Sequence, residues 1–313
     1  MLTLRYHLVS LVAVFLALAL GVALGSTSVS QRLLSVVAGD RNNLTAQVDQ
    51  LTAQRGNWEA GQRAANGFAA SVAPVVVKDQ LVQRKVVLVL SPDADPADRD
   101  AVKTLIANAG GTVTGELDLA DPIVDPARAD QIRDLTARLL PAGAQLPSAT
   151  DAGGLVGGLL GSVLLVRGQN GQAQVAPEQA AAALAGLTSA GFVRPGPRPA
   201  PAQLAVILTG AAQSGADSPN RAATLARLAT ELDHSGGGAV LAGRSGAADS
   251  TGAVGVVRAD TTTSAALSTV DDVQSAMGRV ATVLALREQA DGRAGRYGDA
   301  ASAQAAIPGS SAG

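Results

Sequence analysis

The period of the apolar positions changes several times along the chain, and each change predicts a different element. From Leu8 to Gly25 there is no alternation at all: LVSLVAVFLALALGVALG carries no charge. As a helix at about 1.5 Å per residue, this run reaches roughly 27 Å, enough for the hydrocarbon core of a bilayer. A cleaved leader is the rival reading, since Ala23-Leu24-Gly25 before Ser26 is a tolerable cleavage site. The run exceeds the roughly 7–15 apolar residues of a leader, and only Arg5 and the terminal amine precede it, which favours a retained anchor. Residues 1–7 then form a cytoplasmic N-terminus, 8–25 a single transmembrane anchor, and the bulk lies in a periplasm-like envelope space.

Beyond the anchor the period becomes heptad. Leu34, Val37, Arg41, Leu44, Val48, Leu51, Arg55 and Trp58 fall on alternating three- and four-residue steps, with Gln62 and Ala65 continuing the seam. This predicts a coiled-coil stalk over 26–72 and a parallel homodimer. Arg41, Arg55 and Gln62 at core positions lower stability and reject misaligned partners. A single amphipathic helix folded back on its own domain is the alternative, because Gly56, Gly61 and Gly67 each cost about 1 kcal/mol of helix stability relative to Ala. The helix is expected to fade before Pro74.

The remainder alternates short apolar runs with amphipathic stretches. Val86–Leu90 reads as a strand buried on both faces, followed by a helix from Pro96 to the glycines at 110 and 111. A strand at 112–117 and a helix from Pro126 to Leu140 complete one parallel crossover unit. The alternation returns with strands at 204–209 and 239–242, a helix near 220–232, a strand near 267–270 and a last helix at 273–293. A Gly-broken stretch at 152–166 reads as a buried core segment, 177–190 as a short Ala-rich helix, and the prolines at 195, 197, 199 and 201 as an extended link. The expected class is α/β: a transmembrane helix and coiled-coil stalk, then a Rossmann-like, mostly parallel domain of four or five strands over 80–298. The Ala-, Ser- and Gly-rich tail at 299–313 is expected to be disordered.

Composition narrows the chemistry. An apolar content of 47% fits folded structure, and 24 basic against 26 acidic residues exclude nucleic-acid binding through bulk positive charge. Six aromatic residues are too few for the girdles of a large outer-membrane barrel. Cysteine is absent, which removes disulfides and thiolate sites, and His7, His234, Met1 and Met277 are poor material for a transition-metal cage. No cofactor is expected.

In a doubly wound sheet ligands bind beyond the carboxyl ends of the strands, which directs attention to the loops after 90, 209, 242 and 270. The first carries Asp93, Asp95, Asp98 and Asp100, read as solvated aspartates at a helix start. Gly243, Arg244 and Ser245, with Gly246, can cup an anion through backbone N–H groups, but a plain turn is the favoured reading. Ser245 is not in a GxSxG elbow, and His234 reads as a helix-end residue, so no hydrolase is assembled and no enzyme is expected. Ser268, Thr269, Asp271 and Asp272 form a hydroxyl and carboxylate run before the last helix, read as a helix cap or the lining of a partner or ligand groove.

The STVDD run at 268–272, the following Gly278-Arg279-Val280-Ala281 and the closing Gly295-Arg296-Tyr297-Gly298, together with an anchor leading at once into a seam helix, carry a resemblance. Over residues 1–298 the chain resembles the actinobacterial copper transporter family, the group of the mycobacterial copper transport protein B that includes the corynebacterial cell-separation protein SteB. The family name implies copper efflux through the envelope. Members like SteB imply a tethered partner of a cytoplasmic-side protein, acting on a peptidoglycan hydrolase or its regulator at cell separation. A copper path calls for soft donors or imidazoles at intervals, and a single span offers no water path, so a non-enzymatic envelope adaptor is the expectation taken forward.

Overall fold

The computed structural model describes residues 2–141, 151–167 and 171–309, with the side chains of 2–5 and 25–42 outside that description. The chain divides into two compact units, Met1–Ala65 and Asn66–Gly313. The first is helix α1, Leu2–Val76, which runs on into the start of the second unit. Its segment Tyr6–Leu24 is long and apolar enough to cross a membrane, and none of it is covered by the rest of the chain. The helix continues two residues past Pro74 instead of fading before it. Proline this close to a helix end removes one donor without a further turn to lose.

The second unit is a six-stranded sheet covered on both faces. In chain order the elements are β1 (Lys85–Leu90), α2 (Pro96–Asn108), β2 (Thr112–Asp118), α3 (Ala129–Leu139), α4 (Ala152–Leu164), the small strands β3 (Val166–Arg167) and β4 (Gln172–Ala173), and α5 (Pro177–Ser189). Then come β5 (Leu204–Leu208), α6 (Ser218–Ser235), β6 (Ala239–Ala242), α7 (Ala253–Ala259), α8 (Thr261–Ala266), β7 (Ser268–Val270), α9 (Ala276–Ala290) and β8 (Arg296–Tyr297). The order is β2-β1-β5-β6-β7-β8 with every pair parallel, while β3 and β4 form a separate antiparallel pair.

The uninterrupted apolar runs are explained by the two covered faces. Val87 and Val89 of β1, Ala205 and Ile207 of β5 and Leu241 of β6 face a core shared with α3 to α7. Val86, Leu88, Leu90, Val206 and Val240 face the other, built with α2, α9 and Ala73, Val77 and Leu81 at and after the end of α1. Successive side chains point to opposite faces, so both must be apolar.

Most of the 152–166 stretch is core helix α4, with Val166 already in β3. Its Gly153, Gly157 and Gly161 form a stripe against α6, where an added Cβ would fall 2.3 Å from the Thr224 carbonyl oxygen, 2.8 Å from that of Leu228 and 2.2 Å from the Ser235 hydroxyl. Only glycine permits that approach.

The tail differs from expectation. Residues 299–309 are held by the sheet edge: Gly298 N–H donates to the Ala305 carbonyl at 3.1 Å, Gln304 N–H to Arg296 at 2.8 Å, and Ala305 and Ile307 pack on the core. Small residues suit this close return over the sheet edge, which composition alone reads as disorder. Residues 310–313 of the expected tail lie outside the described residues.

Candidate functional site

The parallel ladder puts the loops after β1, β5, β6 and β7 at one end of the sheet. The side on which successive strands are added reverses between β1 and β5, the switch point where ligands enter folds of this kind. Here the crevice is filled from within. The Ser91 hydroxyl donates to Asp93, the Gln213 amide donates to the same carboxylate at 3.0 Å, and Thr209 approaches it at 3.4 Å. Arg221 then bridges Gln213 at 3.0 Å and Asp121 at 3.2 Å. The space left among these groups is about 20 Å³, room for about one water molecule and not for a nucleotide or flavin.

The next loop binds the chain to itself. Arg244 pairs with Asp95 and Asp98, both at 2.9 Å, and Arg279 reaches Asp98 at 3.1 Å. Asp98 is therefore a buried carboxylate between two guanidinium groups, contrary to the expected solvated aspartate. The sequence hid this because both arginines are more than a hundred residues away. Asp95 does cap α2, accepting from Ala97 N–H at 2.8 Å, and Pro96 opens the helix as read. Gly243, Arg244 and Ser245 come together with the stretch after β7: Val273 N–H donates to the Gly243 carbonyl at 3.0 Å and Ser245 N–H to the Gln274 side chain at 3.0 Å. With its charge met by two carboxylates, Arg244 works as a clasp between β6 and α2 and leaves the 243–246 turn without a free guanidinium for an anion.

Ser268, Thr269, Asp271 and Asp272 are buried, and so do not line an open groove. Nor does either aspartate cap α9. Ser275 does, its hydroxyl accepting from Gly278 N–H at 2.8 Å, while Asp272 accepts from that hydroxyl at 2.7 Å. An amide of Asn66 accepts from Ala276 N–H at 2.7 Å, satisfying another donor of the first turn. Asp271 instead pairs with Arg258, which no local pattern singles out. Arg258 also donates to the Tyr297 carbonyl at 2.8 Å and to Thr269 at 3.0 Å, and Asp271 accepts from Asp299 N–H at 2.8 Å. A Cβ on Gly298, where φ is +128°, would lie 2.1 Å from the Asp271 carboxylate. The STVDD and GRYG segments are thus two sides of one internal joint.

Burial dominates the titration of this region. It raises the Asp272 carboxyl to about 6 against the opposing bond from Ser275, with the Asp271 and Asp299 charges raising it further.

Of the seam residues, Leu44, Val48, Leu51 and Trp58 stand 60–66% exposed on α1 in the single chain, and Arg55 pairs with Glu59 of its own helix at 2.6 Å. Leu34, Val37 and Arg41 lie on α1, their side chains outside the described residues. His234 sits in the last turn of α6 and Met277 in the first of α9. Among the described residues no group of three or more His, Asp or Glu is placed to hold a metal ion.

Comparison with known proteins gives a consistent relationship along nearly the whole chain. The chain is 39% identical over 303 residues to a protein of Mycobacterium tuberculosis named copper transporter MctB, covering 95% of this chain and 96% of that one. The Mycobacterium bovis protein of the same name matches equally, and that of Mycobacterium leprae is 36% identical over 306 residues, again covering 95% and 96%. A family model described as copper transport outer membrane protein, MctB, matches residues 1–308, and the chain belongs to this family.

Proposed function

We propose that this protein is a non-enzymatic, membrane-anchored adaptor of the cell envelope. Its N-terminal helix is the anchor, its apolar α1 seam pairs two copies, and its α/β domain presents a recognition surface to envelope partners. The observation that supports this reading is the closed switch point: the crevice this topology offers to a small ligand is taken by Asp93, Gln213 and Arg221. A domain whose internal charges are bound to each other is stiff, and its outer surface is what remains for recognition. The resemblance to cell-separation proteins points to a peptidoglycan hydrolase or its regulator, and to a cytoplasmic-side protein, as the partners; in this reading the N-terminus lies in the cytoplasm and the domain outside. In-cell photocrosslinking from Val48 and from exposed Ser245 tests it. Capture of a second copy at the first position and of a hydrolase or septal protein at the second is the expected result. Capture of neither under conditions of dividing growth overturns it.

The second reading is copper transport, favoured by the name that the mycobacterial relatives carry over nearly the full length. Copper ions would then be cargo passed along an assembly of several copies or of this chain with a partner, since one apolar helix by itself has no water path. Purified protein at high density in liposomes should pass copper ions. Absence of flux, with a deletion strain that tolerates copper normally, would remove this reading and leave the first intact.

A further inference from the structure

The end of the sheet opposite the crowded loops carries a cavity that neither reading uses. It opens where the starts of β1 and β5 meet the turn after α6. Gln203, just before β5, is pinned there at three points. Its N–H donates to the Lys85 carbonyl at 3.0 Å, its carbonyl accepts from Gly237 N–H at 2.8 Å, and its side-chain oxygen accepts from Lys85 N–H at 2.9 Å. That last bond fixes which end of the amide is oxygen, so the NH2 group is the end left over. It has no acceptor among the described residues.

The cavity holds about 540 Å³, within the size range of ligand sites. Leu204 and Ala290 give it apolar walls, Gly236 and Gly237 present bare backbone, and Arg84 and Gln203 are its polar side chains. Arg84 is half-buried, and its guanidinium makes no ion pair or hydrogen bond among the described residues. That sets it apart from Arg99, Arg221, Arg244, Arg258 and Arg279, half-buried arginines that each meet a carboxylate. No Asp or Glu among the described residues lines the cavity. Nor does the adjoining end of α9 call for the cation. Its Glu288 carbonyl accepts from Asp291 and Arg293 N–H at 3.0 and 2.9 Å, and its Gln289 carbonyl from Gly292 N–H at 2.9 Å.

We propose that this cavity binds a small polar ligand through its carboxylate, held between the Arg84 guanidinium and the Gln203 amide. A guanidinium presents a planar fork of N–H donors that matches the two oxygens of a carboxylate, and the amide adds a neutral donor. One formal positive charge in the cavity balances one carboxylate and falls short of a phosphate dianion. The space exceeds what a bare anion needs, so the rest of the ligand is the size of a sugar or a dipeptide. Such a carboxylate comes from an acid sugar or from a peptide C-terminus, and both present the same group to Arg84. The site needs neither the pairing of copies nor copper, and goes beyond both readings without relying on either.

The test is isothermal titration calorimetry on the full chain in mild detergent, in a buffer free of carboxylates. The probes are glucuronate against glucose, acetyl-Ala-Ala against its C-terminal amide, and inorganic phosphate. At least one of the two acids should bind more tightly than its neutral counterpart, by about tenfold or more, and which one does names the source. Arg84→Gln should weaken that acid by about tenfold or more, the range for losing a bond to a charged group. Gln203→Glu keeps the oxygen that Lys85 N–H needs, replaces the NH2 donor by a second oxygen and should abolish binding. No preference for either acid, phosphate tighter than both acids, or unchanged affinity in either variant overturns the proposal. Both ligand-free variants should melt with the parent, and a fall in both would assign these groups to the fold and overturn it as well.

Discussion

Arg258 and Asp271 meet at 2.5 Å with their side chains only 3% and 1% exposed. This pair joins the last two strands to the segment that returns over them, because the same guanidinium holds the Tyr297 carbonyl and the same carboxylate holds Asp299 N–H. Burial pulls the Arg258 pKa down while Asp271 opposes it. The two charges tolerate the interior only as a pair.

Removing one partner should therefore be worse than removing both. Arg258→Met leaves a buried carboxylate without its counter-charge and should cost about 3–5 kcal/mol. Asp271→Leu should cost a similar amount, and the double variant clearly less than the sum. Urea unfolding of the four proteins in detergent checks this. Additive losses would mean that the contact contributes packing alone.

Stability should fall as pH rises from about 4 to about 6. The Asp272 carboxyl titrates at about 6 in the folded chain, and burial raises Asp233 to about 6 as well, against an opposing bond from Ala239 N–H. An unfolded Asp titrates near 3.9, so between the two values the folded state keeps a proton that the unfolded chain has lost. The protonated carboxyls contribute fully below about pH 4, and that contribution is gone above about 6. Asp272→Asn, neutral at every pH, should be more stable than the parent by about 1–3 kcal/mol at pH 7.5 and indistinguishable near pH 4. Thermal melts across that range decide it, and a difference that does not change with pH would assign the effect to shape.

What the sequence revealed and what it concealed divide along one physical line. The strands at 86–90, 204–208 and 239–242 were legible because burial on both faces demands apolar residues at every position. The start of α2 was legible because Asp95 and Pro96 act within one turn. Asp98, Arg258 and β8 were not, since each is defined by partners outside its own element. Arg258 in AVGVVRAD has no local pattern to betray a buried ion pair, and a two-residue strand has no period. The STVDD segment stands out in the sequence for its hydroxyls and carboxylates, and these face inward, where they organise the sheet edge.

Glycines of the two units should respond oppositely to the same change. Gly153→Ala in α4 drives a methyl group against the Thr224 carbonyl and should cost about 1–3 kcal/mol. Gly61→Ala in α1 meets nothing within 4 Å and should gain about 1 kcal/mol through helix propensity. Thermal melts that show Gly153→Ala neutral would contradict the close helix contact.

The α1 seam yields the sharpest test of pairing. Val48 and Leu51 are 60% and 64% exposed in one chain, and four apolar residues at heptad steps leave a stripe of greasy surface next to polar neighbours. If two copies cover that stripe, Leu51→Asp places a carboxylate at each side of a desolvated seam, where like charges repel and neither is solvated. The parent should run as a dimer by light scattering in mild detergent and the variant as a monomer, with the melting of the α/β domain unchanged because Leu51 belongs to the other unit. Leu51→Asp combined with Val48→Lys should recover part of the dimer if the copies run parallel, since position 48 of one chain lies within one turn of position 51 of its mate. A parent that is monomeric at the highest attainable concentration would end the pairing hypothesis, and α1 would then owe its exposed seam to a different protein.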